Sequence, residues 1–160
     1  MTLLAAVPCA HAEREPASYV GVTTGALSPK YFQMDDGVAI NAGIGFGLRL
    51  PGVHGVSVEA LWTGSAVPRP GEEPGPSDNT NNRSSALFAV YRSGGSPYLK
   101  ARAGVGRQSL YDDDSSRTRT DFAGGLGVGW TVPEGALEIE QSFFNADAWY
   151  ISLSYFYDLY

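Results

Sequence analysis

The chain has 160 residues, a formal net charge of −6, 20 glycines, nine tyrosines, a single cysteine and a mean hydropathy of −0.14. That length suits one domain with a single core or a single small barrel, and the acidic balance argues against nucleic acid, whose phosphates call for a basic patch. No apolar run approaches the roughly 20 residues a spanning helix needs, which excludes a helical membrane protein but not a barrel, whose alternating strands disappear in hydropathy averages.

In chain order, the first segment reads as the end of a secretory signal. Thr2 to Val7 is a short apolar run and Ala10-His11-Ala12 fits a small-x-small cleavage site, although no basic stretch precedes it. Residues 1–12 are assigned to a signal-peptide remnant and 13–160 to the folded domain. Cys9 follows Pro8 rather than the small residue of a lipoprotein site, so lipidation is not expected. Cleavage after Ala12 leaves no cysteine, as suits an oxidising compartment entered without disulfides.

Ser18 to Gly25 is the first expected strand, followed by a loop from about Ser28 to Gly37 that carries Asp35 and Asp36. Val38 to Leu50 alternates cleanly: Val38, Ile40, Ala42, Ile44, Phe46, Leu48 and Leu50 share one face, and asparagine, glycine and arginine fill the other. Pro51 to Gly55 is a tight turn and Val56 to Trp62 the third strand. Gly64 to Asn82 holds four prolines with Glu72 and Glu73, a composition that cannot pack a core and reads as a solvated loop. Ser84 to Arg92 is the fourth strand, and its facing is not fixed by its pattern.

Ser93 to Pro97 turns the chain into a fifth strand, Tyr98 to Gln108, and Asp112-Asp113-Asp114-Ser115-Ser116 marks the next loop. Thr120 to Val132 is the sixth strand, with Phe122, Leu126, Val128 and Trp130 on one face against glycines on the other. Pro133-Glu134-Gly135 turns into the seventh, Ala136 to Phe144, and Ala148 to Tyr160 is the eighth. Its odd positions, Trp149 to Leu159, are all apolar or aromatic, while Tyr160 falls out of phase. Either a bulge shifts the last residues or Leu159 takes the outward place.

These eight strands run roughly 8 to 13 residues each, enough to cross a bilayer when tilted. Connections after strands two, four and six are short; those after one, three and five are longer and acidic. The expected fold is all-β: an eight-stranded antiparallel up-and-down transmembrane β-barrel, in which such alternation turns one face to acyl chains. Orienting the short turns to the periplasm puts Trp62, Phe122 and Trp149 at the outer ends of their strands. It puts Tyr91, Trp130, Tyr155 and Tyr157 near the inner ends, as two aromatic belts require. Tyr98 is assigned inward.

The opposite faces place Arg49, Glu59, Lys100, Arg102, Glu138 and Glu140 in the lumen at a similar height. Three cations and three carboxylates at one level would neutralise each other, whereas each unpaired would carry a desolvation cost of several kcal/mol. An eight-stranded barrel is only wide enough inside for side chains, so this set is expected to fill the lumen. A gate or narrow ion path is the functional alternative to that structural role.

Catalytic chemistry is not expected. His54 sits alone in a short turn with no serine and carboxylate placed beside it, and no His-x-Ser pair of a lipid-A deacylase is present. Gly43, Gly45 and Gly47 lack the following helix of a nucleotide loop, and Asp112 to Asp114 lack the spaced ligands of a calcium loop. No cofactor and no metal are expected.

Ser96 to Gly106, Gly125 to Trp130 and the strand from Ala148 to Tyr160 together resemble the small outer-membrane β-barrel proteins, the OmpA/OmpX-like porin-family group, over the chain from about Ser18 onward. The resemblance implies a Gram-negative outer membrane, insertion by the barrel-assembly machinery, contact with outer-membrane lipid and lipopolysaccharide, and roles from envelope stability to adhesion. It brings no catalytic residues. The expectation is a monomeric, non-enzymatic barrel that presents acidic loops, with Gly64 to Asn82 as the segment for a surface ligand. A narrow porin-like channel is the first alternative, and a soluble lipocalin-like carrier, with apolar residues inside and polar ones outside, is the second.

Overall fold

The computed structural model describes residues 17–29, 39–65, 81–112, 115–145 and 148–160. The signal remnant expected at 1–12, with Cys9, and most of the loops expected at 28–37 and 64–82 lie outside these residues. Eight strands follow one another: β1 (Ser18–Pro29), β2 (Ala39–Arg49), β3 (Val56–Ser65), β4 (Asn81–Arg92), β5 (Tyr98–Asp112), β6 (Ser115–Val132), β7 (Gly135–Asn145) and β8 (Ala148–Leu159). Each pairs antiparallel with the next, and β8 returns to pair with β1, so the sheet closes into a barrel with no free edge.

Alternation is the local cause of this fold. On β2, Ile40, Ile44, Phe46 and Leu48 point outward and are exposed, while Asn41, Gly45 and Gly47 are buried inside. The same phase holds on β8, where Trp149, Ile151, Leu153, Tyr155, Tyr157 and Leu159 face out and Tyr150, Ser152, Ser154 and Phe156 face in. The exterior is therefore the apolar surface, the reverse of a lipocalin-like carrier, and it matches a barrel whose neighbours are acyl chains.

Three short turns close the same end of the barrel. Pro51–Gly55 uses Gly52 and Gly55 at φ 79° and 72°, and the Gly55 carbonyl accepts from the Arg92 amide at 2.8 Å, which ties this turn to the end of β4. Pro133 and Glu134 alone separate the paired Val132 and Gly135, with Glu134 at φ 67°. At the other end β5 and β6 continue further than their composition suggests. Asp112 pairs with Ser115 and Tyr111 with Ser116, so Asp112, Ser115 and Ser116 of the stretch expected as a loop belong to strands, while Asp113 and Asp114 lie outside the described residues.

Two strand-end expectations resolve differently. Tyr160 stands beyond the end of β8 at 91% exposure, and Leu159 takes the outward place. The β8–β1 ladder runs without a register shift, and the irregularity lies instead between Phe143 and Asn145 on β7. β4, whose pattern is apolar on both faces, turns Leu87, Ala89 and Tyr91 out and Ala86, Phe88 and Val90 in.

Candidate functional site

The lumen is filled in layers. Nearest the short turns lies an ionic layer built by inward positions of β3, β4, β5 and β7. Glu59 has no exposure, Glu138 has 1%, and Lys100 and Glu140 have 3% each. Lys100 Nζ reaches all three carboxylates: Glu138 Oε2 at 2.7 Å, Glu140 Oε2 at 2.9 Å and Glu59 Oε1 at 3.5 Å. Arg102 donates from Nη1 to Glu59 at 3.2 Å and from Nη2 to Ser142 at 2.8 Å, with Nε against Glu140 at 2.5 Å. The Arg102 guanidinium also stacks over Phe88, 4.2 Å from its ring centre.

The third cation of this layer is Arg92. Its Nε meets Glu138 at 2.7 Å and its Nη2 meets Glu59 at 3.1 Å, while Nη1 donates to the Tyr19 and Ser57 hydroxyls. Arg49 does not join the layer. It sits at the rim, bonded to Asp158 at 2.7 Å, with its guanidinium 5.2 Å from the Tyr19 ring centre. The Tyr19 ring thus lies next to both arginines, and Arg49 is held on the mouth side with Asp158. The layer still balances three cations against three carboxylates, Lys100, Arg102 and Arg92 against Glu59, Glu138 and Glu140. A signal for Arg92 existed in the sequence. A short hairpin turn sets Arg92 directly opposite Lys100, so the two must share a face.

Tyr98 faces inward and donates its hydroxyl to Glu138 at 2.7 Å. Two glycines make room for the tyrosines of this layer: a Cβ on Gly47 would run into the Tyr19 ring, and one on Gly129 into the Tyr98 ring. Further from the turns, Leu61, Ala86, Phe88, Val90, Ala123, Phe144 and Tyr150 form a buried apolar cluster. The interior therefore holds an ionic layer backed by an apolar one. A vestibule of about 360 Å³ opens at the short-turn end, lined among others by Tyr19, Arg49, Arg92, Tyr98, Glu138 and Asp158. His54 is exposed in the turn at its edge.

The outward aromatics lie where two belts would be. Trp62, Phe122 and Trp149 are 51%, 63% and 43% exposed at the long-loop ends of β3, β6 and β8. Tyr91, Trp130, Tyr155 and Tyr157 are outward and exposed towards the short turns.

The profile of the outer membrane protein beta-barrel domain family matches residues 1–157. No curated protein matches the sequence. Among solved structures the chain is similar to the Neisserial surface protein A, with 16% identity, a TM-score of 0.57, and 89% of this chain and 96% of that one covered. It is similar to the attachment invasion locus protein Ail of Yersinia pestis, solved with the heparin analogue sucrose octasulfate, at 14% identity, TM-score 0.53, and 88% and 96% coverage. The N-terminal β-barrel domain of Pseudomonas aeruginosa OprF is also similar, at 14% identity, TM-score 0.55, and 88% and 97% coverage.

Proposed function

The chain belongs to the outer membrane protein β-barrel domain family and resides in the bacterial outer membrane, and from that premise we propose that it is a non-conducting, non-enzymatic scaffold that presents acidic loops at the cell surface. The observation that carries this reading is the filled lumen. An ionic layer with every carboxylate bound by two or more donors is backed by packed aliphatic and aromatic side chains. Such an interior supplies rigidity to the wall and leaves recognition to the segments between the strands.

Those segments carry Asp35, Asp36, Glu72 and Glu73, and the longest of them lies within Gly64 to Asn82, between the end of β3 and the start of β4. Their charge favours a neutral or cationic surface partner, or one bridged by divalent cations, over a sulfated glycan of the kind bound by Ail in its complex. The surface and attachment roles in the names of Ail and the Neisserial protein fit a barrel that works through its loops.

Planar-bilayer recordings test the scaffold reading. Purified protein is expected to give no resolved channel steps, and neutralising Arg102 or Glu138 is expected to open none that persist. Regular conductance steps from the unmodified protein would replace the scaffold with a narrow channel.

A further inference from the structure

Along the strands, and among the described residues, the outward wall carries no charged side chain until the outer aromatic belt is reached. There two arginines stand together. Arg83 on β4 and Arg107 on β5 are exposed and outward in phase, each flanked along its strand by buried inward residues. Three successive outward rows cross β4, β5 and β6 at this point. The lowest is Leu87, Val105 and Phe122; the next is Ser85, Arg107 and Thr120; the last is Arg83, Ser109 and Thr118. Trp62 of the outer belt lies opposite Ser85. The wall thus changes from apolar to cationic and hydroxylic within one row, at the belt.

The patch differs in sign from its surroundings. The connections at the same end carry Asp35, Asp36, Glu72 and Glu73, so the two cations are not part of a generally basic rim. Arg83 and Arg107 are diagonal neighbours across the β4–β5 ladder, and such positions lie roughly 7–8 Å apart, within reach of long side chains. Two like charges at that spacing repel, and an anion between them converts the repulsion into two attractions. Arg107 makes no hydrogen bond or ion pair among the described residues. Beside it the Ser109 and Thr118 hydroxyls bond each other at 3.1 Å. A guanidinium fork meets a phosphate in two parallel hydrogen bonds, and the attraction grows at the edge of hydrocarbon, where the dielectric falls. On the row below, Leu87, Val105 and Phe122 are 58%, 57% and 63% exposed. An amphiphile with a phosphorylated head and acyl tails satisfies both levels at once. A soluble anion satisfies only the upper one.

We propose that Arg83 and Arg107 bind the phosphate of an acylated outer-leaflet lipid whose chains lie on Leu87, Val105 and Phe122. The assignment to the outer leaflet rests on the orientation that puts the longer connections at the cell surface. The lipid is a fixed neighbour of the wall, held apart from whatever the loops recognise.

Native mass spectrometry of the full chain in neutral detergent tests this with three probes: an acylated glucosamine-disaccharide bisphosphate, its dephosphorylated counterpart, and inorganic phosphate. The gel shift of unboiled protein confirms that each variant is folded. The native chain is expected to retain the bisphosphate, and the double substitution Arg83→Gln with Arg107→Gln to weaken it about 10- to 100-fold, the loss of charge-assisted hydrogen bonds to one anion. The dephosphorylated lipid should bind the native chain no better than the bisphosphate binds the double variant. Equal retention of the two lipids by the native chain overturns the proposal, as does equal retention of the bisphosphate by the native and doubly substituted chains. Inorganic phosphate that displaces the lipid at the lipid's own concentration makes the soluble anion the ligand and overturns the lipid assignment. None of these results depends on conductance, so this measurement and the bilayer recordings fail independently.

Discussion

Glu59 and Arg49 are both charged and both inward in phase, yet their removal should cost very different amounts of stability. Glu59 is fully enclosed and answers Lys100, Arg92 and Arg102 at once. Glu59→Ala strands cationic charge in a closed interior, and breaking a buried ion pair from one side costs about 3–5 kcal/mol. Arg49 and Asp158 keep 34% and 18% of their side chains exposed at the mouth. Arg49→Ala should therefore cost under about 1 kcal/mol, the usual worth of a solvent-exposed pair. Denaturant unfolding in detergent micelles or lipid vesicles compares the two, and equal losses would mean that the mouth is as dry as the layer behind it. Gly129→Ala probes the same layer through space: its methyl would collide with the Tyr98 ring that holds Glu138. A loss of about 1–3 kcal/mol is expected, the range for overpacking a filled interior.

At the scale of the element, the turns hold the clearest local conflict. Glu134 adopts φ 67° in the two-residue connection between β6 and β7, a conformation that costs a residue with a Cβ about 1–2 kcal/mol. Glu134→Gly should stabilise the barrel by up to about 1 kcal/mol, once the greater freedom of an unfolded glycine is subtracted; the midpoint of denaturant unfolding checks this, and a fall in the midpoint would show that the Glu134 side chain contributes to the turn. The end of β8 makes the complementary case. Tyr160 is 91% exposed past the last paired residue, Leu159, so Tyr160→Ala should leave the stability of the folded barrel within about 0.5 kcal/mol of the native value. β8 itself was readable because its odd positions are uniformly apolar. β4 was not, because Ala86, Phe88 and Val90 are as apolar as Leu87, Ala89 and Tyr91, and a period-two pattern has no contrast when both faces are greasy.

For the whole molecule, closure of β8 onto β1 means that no strand can leave without breaking two ladders. The barrel should therefore survive unheated in denaturing detergent and migrate differently from boiled protein on a gel, after sedimenting with the outer-membrane fraction. A protein without that shift would contradict closure. Strand number, antiparallel order and the lipid-facing set of every strand but β4 were determined by the sequence alone, because alternation and turn spacing are local properties that survive without knowledge of what lies across the barrel. Lys100, Arg102, Glu59, Glu138 and Glu140 could be turned inward on the same ground. Which charges meet was decided only by the tertiary structure. The stagger between strands sets the height at which inward side chains face each other, and that stagger brings Arg92 to Glu59 and Glu138 while leaving Arg49 at the mouth with Asp158.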